Sequence, residues 1–123
     1  MTAHPVPVDP VTFGVLEAAM RAACEEMGAA LRRSSYSPII REMLDFSCAI
    51  FDPTGRLVAQ GDFIPAQLGA MGLVVRETIR RHATTLAPGD VFIANHPFLS
   101  GAHTPNVNVL QPLFGRHGQQ PLA

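Results

Sequence analysis

The sequence predicts an α+β fold, with two main helices packed on a mixed or antiparallel sheet. Three observations carry that prediction. Apolar residues recur in steps of three and four from Phe13 to Leu31, they do so again from Leu68 to Leu86, and short β-rich runs bounded by turn residues fill the remaining chain. With 123 residues the chain can enclose one modest core.

The elements follow in order. MTAHPVPV carries two prolines and no periodicity, so residues 1–8 read as an extended tail, with His4 in solvent. Asp9-Pro10 is an N-cap followed by proline at the first helical position, and Phe13, Leu16, Met20, Ala23, Met27 and Leu31 then lie on one helix face. Small and flexible side chains at that spacing point to close packing against a sheet or another helix. Ser34 to Pro38 favour turn and extended backbone, which ends the helix near Arg33. Phe46 to Phe51 suits a strand, Asp52-Pro53-Thr54-Gly55 a turn, and Arg56 to Gln60 the returning strand of a hairpin.

After a polar loop from Gly61 to Pro65, the second helical pattern places Leu68, Met71, Val75, Ile79, His82 and Leu86 on one side. Glycines 69 and 72 within it signal close backbone packing or a late helix start. Ala87 to Asp90 reads as a turn and Val91 to Ala94 as a short, fully buried strand. Val107 to Leu110 resumes strand character. Gly115 to Pro121 then forms a turn with no strand after it, which predicts an unpaired C-terminal strand and an exposed sheet edge prone to association.

Composition excludes several function classes. The formal net charge is -1 and the longest basic runs are the pairs Arg32-Arg33 and Arg80-Arg81, so there is no footprint for nucleic acid. These pairs read as solvated faces or helix C-terminal charges. No apolar stretch has the length of a membrane span and the first residues lack the pattern of a secretory signal, which makes the cytoplasm the expected compartment. A hydrophobic content of 47% and mean hydropathy of +0.18 argue against disorder and leave apolar surface for a partner. Cys24 and Cys48 have no zinc-finger or CxxC spacing and read as reduced structural thiols.

The segment from Asn95 to Asn106 has the composition of a functional loop. It joins two strands and holds His96, His103 and prolines 97 and 105. A metal ligand needs a rigidly held neutral imidazole, and His103 is the leading candidate, with His96 as a second nitrogen. Two histidines seven apart equally suit ordinary loop hydrogen bonds. Asp45, set between Leu44 and Phe46, is a carboxylate among apolar residues; it either binds a cation, caps a turn or pairs with Arg41. His82 reads as a core or boundary histidine. No GxSxG, P-loop, GxGxxG or HExxH occurs, so any ATP site lies elsewhere.

The runs Leu31-Arg32-Arg33-Ser34-Ser35-Tyr36-Ser37-Pro38, Leu44 to Asp52, Pro88-Gly89-Asp90-Val91 and Gly101-Ala102-His103-Thr104-Pro105 together resemble the start of hydantoinase B/oxoprolinase subunits. The likeness runs from about Asp9 to Phe114. That family includes N-methylhydantoinase, 5-oxoprolinase and related acetone carboxylase subunits. The resemblance implies ATP-dependent opening of a cyclic amide, or carboxylation of a ketone, in a hetero-oligomer where ATP binding and substrate phosphorylation fall to a hydantoinase A-type partner.

It further implies that the metal is carried by the hydantoinase B-type component, with Asp45 and His103 as ligands of a zinc, manganese or iron ion, and with Asn95, His96 and Asn106 as additional metal or substrate contacts. His96 and Asn106 stand where the family commonly has aspartates, and Phe63 and Gln67 where histidines are frequent. Family members are several times longer and complete the metal site with a downstream Ala-His-x-x-Asp-Val-Gly-like motif. The chain is thus expected to be the N-terminal portion, residues 9–123, of a truncated domain and the incomplete N-terminal lobe of a larger fold. Three readings stay open: a fragment of an ATP-dependent amidohydrolase that is inactive alone, a split subunit whose remainder is encoded separately, and an interaction module without catalysis.

Overall fold

A computed structural model describes residues 7–64, 68–100, 103–115 and 121–122. Most of the tail, Gln67, Gly101, Ala102 and the turn at 116–120 lie outside the described residues. Eight elements follow in order: α1 (Pro10–Ser34), α2 (Pro38–Arg41), β1 (Ala49–Phe51), β2 (Leu57–Gln60), α3 (Leu68–His82), β3 (Phe92–Ala94), α4 (Pro97–Ser100) and β4 (Asn108–Leu110). The architecture is α+β, and its strands form two separate antiparallel pairs, β1-β2 and β3-β4, rather than one mixed sheet.

Local chemistry explains where α1 begins and ends. The Asp9 carboxylate accepts hydrogen bonds from the N–H groups of Val11 and Thr12, both at 3.0 Å, which satisfies donors that have no partner within the helix. The Thr12 hydroxyl donates to the same carboxylate and, with these N–H groups, holds its pKa below the ordinary value. At the other end Arg32 and Arg33 face the negative pole of the helix, and Ser35 is extended ahead of Pro38. Pro38 then starts the single helical turn of α2, which the sequence pattern does not reveal.

The hairpin turn is set by one carboxylate and one glycine. Asp52 Oδ1 accepts from Thr54 N at 2.8 Å, Thr54 Oγ1 at 2.6 Å and Arg56 N at 3.0 Å, while Arg56 Nε donates to Oδ2 at 2.8 Å. Gly55 has φ +78°, the left-handed region that favours glycine. These bonds, led by the Thr54 hydroxyl, place the Asp52 carboxyl far below the usual carboxylate range.

Four apolar side chains form the buried core among the described residues: Cys24, Phe46, Phe51 and Val74. They join α1, the hairpin and α3. Gly72 of α3 comes close to the hairpin, since a Cβ there would lie 3.7 Å from the Phe51 ring and 3.8 Å from the Gly55 carbonyl; a Cβ at Gly69 would meet nothing within 4 Å. Gly72 thus lies within ordinary contact distance of the hairpin, whereas Gly69 faces open space. His82 rests on Phe92 with ring centroids 4.8 Å apart, in keeping with a boundary histidine.

Several expectations are corrected. The first strand is shorter than Phe46 to Phe51, because Phe46 N donates to Leu44 O at 2.8 Å in a tight turn and pairing starts only at Ala49. The apolar stripe of α1 is largely exposed: Phe13 keeps 62% of its surface and Leu16 49%, while Cys24 and Gly28 are the buried positions. The cause is length. A helix of 25 residues spans about 37 Å, whereas β2 with four residues spans about 13 Å, so the hairpin covers only part of it.

The strand from Val91 to Ala94 is not fully buried either, since Ile93 is 72% exposed and its cross-strand neighbour Val109 is 66% exposed. α3 packs against this strand pair, while Ile93 and Val109 are exposed. The C-terminal strand is not unpaired: β4 pairs with β3, and Phe114 bridges Pro121 with Leu122 N donating to Leu113 O at 2.6 Å.

Electrostatics adds a pH dependence outside the core. Glu77 receives Arg80 at 2.7 and 2.8 Å and Arg81 at 2.6 Å, and these hydrogen bonds pull its pKa down from 4.5 to about 2. A depressed folded-state pKa stabilises the fold above the unfolded value, and that contribution fades as the pH falls from about 4.5 towards 2. Thermal unfolding across this window is expected to show a slope that Glu77→Gln reduces; an identical slope in the variant would show that the cluster does not contribute.

Candidate functional site

The loop between β3 and β4 is closed at its base by a hydrogen bond from Asn95 Nδ2 to Asn106 O at 2.7 Å. Pro97 begins the short α4, in which Leu99 N donates to His96 O at 2.9 Å, and Asn106 N donates to His103 O at 3.1 Å. The His96 ring lies 5.9 Å from that of Phe98. His103 is exposed beyond α4. The structure therefore brings Asn95 and Asn106 together and frames both histidines with turns.

Asp45 sits on a different loop, between α2 and β1. Its N–H donates to Ile39 O at 3.1 Å, and the bond from Phe46 N to Leu44 O makes Asp45 the centre of a three-residue turn. Leu44, immediately before it, has φ +53°, a conformation rare for a residue with a branched side chain and costly by roughly 1–2 kcal/mol. Asp45 is half-buried. The backbone strain is thus stored at the residue adjoining the candidate ligand.

A carboxylate and an imidazole are suitable donors for zinc, manganese or iron, so the chemistry of Asp45 and His103 fits such an ion. Their number does not complete a site: among the described residues no group of three or more His, Cys, Asp or Glu side chains is placed to hold a metal. The two cysteines are not reactive centres. Burial raises the Cys24 thiol pKa and pushes that of Cys48 up to about 11, so both free thiols stay protonated near neutrality.

A second feature was not legible as a site in the sequence. A cleft of about 530 Å³ is lined by Arg32, Arg33 and Arg41, by Glu25 and Glu42, and by Gly28, Ala29, Leu44 and Phe63. Arg32 Nε donates to Arg41 O at 2.9 Å, which ties the end of α1 to α2. The Phe63 ring packs against Phe46 in a tilted arrangement with centroids 4.6 Å apart and passes over Gly28 and Gly61, where a Cβ would meet it at 2.0 and 2.5 Å. The available signal was Arg32 and Arg41, nine residues apart on either side of the Ser-Pro turn that folds the chain back.

Comparison with known proteins decides the family, because the family model for hydantoinase B/oxoprolinase matches residues 9–122. The chain belongs to that family. Among hydantoinase B/oxoprolinase relatives, 5-oxoprolinase 1 of Arabidopsis thaliana is 40% identical over 108 residues, covering 88% of this chain and 8% of the plant protein. The 5-oxoprolinase of Saccharomyces cerevisiae is 37% identical over 112 residues, covering 91% of this chain and 9% of the yeast protein. A Pseudomonas protein provisionally named as a D-/L-hydantoinase subunit is 35% identical over 111 residues, covering 87% of this chain and 19% of its own length. This hydantoinase B/oxoprolinase chain therefore spans less than a tenth of the two 5-oxoprolinases and about a fifth of the bacterial protein. No solved structure matches it significantly. Among the described residues, no helix is long and apolar enough to cross a membrane.

Proposed function

We propose that this chain supplies part of the metal-bearing subunit of an ATP-dependent enzyme that opens cyclic amides of the hydantoin or 5-oxoproline type. The observation that carries it is the family match over residues 9–122 together with relatives named as 5-oxoprolinases and as a hydantoinase subunit. Asp45 and His103 would hold the divalent metal, zinc, manganese or iron, and such an ion polarises a carbonyl or activates water. Asn95, His96 and Asn106 line the same loop as His103 and would contact the metal or the substrate. The prolines at 97 and 105 limit the loop's conformations before binding. Further metal donors would come from polypeptide outside these 123 residues, and ATP would be bound by a hydantoinase A/oxoprolinase-type partner in a cytoplasmic hetero-oligomer. The chain by itself is then inactive.

The decisive experiment mixes the chain with a hydantoinase A-type partner and with the remaining hydantoinase B-type polypeptide, and follows ATP-dependent ring opening of 5-oxoproline or hydantoin. Turnover is expected only with all three components, and Asp45→Ala or His103→Ala is expected to lower it by more than about 100-fold, since even outer-shell changes at metal sites cost roughly 10- to 100-fold. A second reading is favoured by the residues present: His96 and Asn106 stand where the family commonly has aspartates, so two carboxylates are absent from the loop. A module kept for interaction alone predicts assembly of the complex with turnover indifferent to both substitutions.

A further inference from the structure

We infer that the cleft between the end of α1, α2 and Phe63 is an oxyanion-binding site, taking a phosphoryl or carboxylate group of a small ligand through Arg33, Arg41 and the remaining N–H groups of Arg32. The two sequence-adjacent arginines of α1 would by themselves be ordinary helix-end charges. What changes their meaning is the fold-back at Ser35–Pro38, which brings Arg41 to the same cleft and fixes Arg32 against it through the 2.9 Å bond to the Arg41 carbonyl. Guanidinium groups suit this task because their planar N–H forks match the oxygens of phosphate and carboxylate.

The opposing charges in the cleft wall are Glu25 and Glu42. Glu25 already accepts the Asp62 N–H at 2.6 Å, and neither glutamate forms an ion pair with the three arginines. The remaining walls are apolar or bare: Gly28, Ala29, Leu44 and the edge of Phe63. A volume of about 530 Å³ lies within the range of small-molecule sites, which typically combine apolar walls with a few converging polar groups. The cleft also borders Leu44, the strained residue next to Asp45. The inference thus deepens the proposed function, and rests on it only for the statement that the bound group belongs to substrate.

The test is an NMR titration of the ¹⁵N-labelled chain with inorganic phosphate in one arm and acetate in the other, at constant ionic strength set by chloride. Saturable shifts at Arg32, Arg33, Arg41 and Phe63 are expected in at least one arm; the arm with tighter binding identifies a phosphoryl or a carboxylate ligand. Arg33→Gln and Arg41→Gln are expected to weaken binding by roughly tenfold each, as loss of one charge-assisted hydrogen bond implies. Arg56→Gln, on the hairpin, is expected to leave it unchanged. No saturable shift in either arm up to about 50 mM, where residual affinity would be non-specific, would overturn the site, and so would equal weakening by Arg56→Gln. Asp45→Ala tests the metal reading separately, because oxyanion binding is expected to survive that change.

Discussion

Gly28→Ala is expected to destabilise the fold by about 1–3 kcal/mol even though alanine is the better helix former by about 1 kcal/mol. The new Cβ would meet three atoms of the Phe63 ring at 2.0, 2.3 and 2.9 Å. The ring cannot simply retreat. Phe46 packs against it at a centroid separation of 4.6 Å, and the Gly61 backbone lies against it, so movement forfeits the contact that closes the core. The sign should reverse when the ring is absent. In a Phe63→Ala background, Gly28→Ala is expected to be neutral or stabilising by up to about 1 kcal/mol, because only the helix propensity term remains. Urea unfolding of the four proteins checks this, and the same destabilisation in both backgrounds would show that the ring is not the obstacle.

Gly55→Ala is expected to cost about 2–3 kcal/mol, from two sources that a control can separate. The residue has φ +78°, where a side chain costs roughly 1–2 kcal/mol. Its Cβ would also approach Arg76 Cγ to 2.4 Å and disturb the hydrogen bond from Arg76 Nη1 to Gly55 O at 3.1 Å, which seats α3 on the hairpin. Gly89 has φ +93° with nothing within 4 Å of a built Cβ, so Gly89→Ala carries the backbone term alone. The difference between the two variants measures the α3–hairpin contact. Equal losses would mean that Arg76 yields without cost.

The elements most legible in the sequence were those fixed by local chemistry. Asp9-Pro10 announced the start of α1, and Asp52 to Gly55 announced the hairpin turn, because a cap carboxylate and a glycine with positive φ act within four residues of themselves. Features that depend on what lies opposite were not legible. Val91-Phe92-Ile93-Ala94 has the composition of a strand covered on both faces, yet composition cannot say whether the second layer is present, and Ile93 is exposed. The α1 stripe failed for the same reason: periodicity identifies an apolar face without giving the length of its cover. At the candidate site, residue chemistry raised Asp45 and His103 and the family resemblance implied that they are ligands, whereas the strained Leu44 and the Asn95–Asn106 closure required coordinates. Phe63 was noted only as a departure from a family histidine; its role as a wedge between Gly28 and Gly61 depends on two segments distant in sequence, Gly61 to Phe63 and the Gly28 turn of α1.

The central claim is that Asp45 and His103 act together on one metal ion. Equilibrium dialysis of the chain assembled with the remaining hydantoinase B-type polypeptide, against zinc, manganese and iron, followed by elemental analysis of the wild type, Asp45→Ala and His103→Ala, tests it most directly. One divalent ion per chain in the wild type, lost in both variants while circular dichroism shows the fold retained, is the predicted result. Equal metal content in all three folded proteins would contradict it.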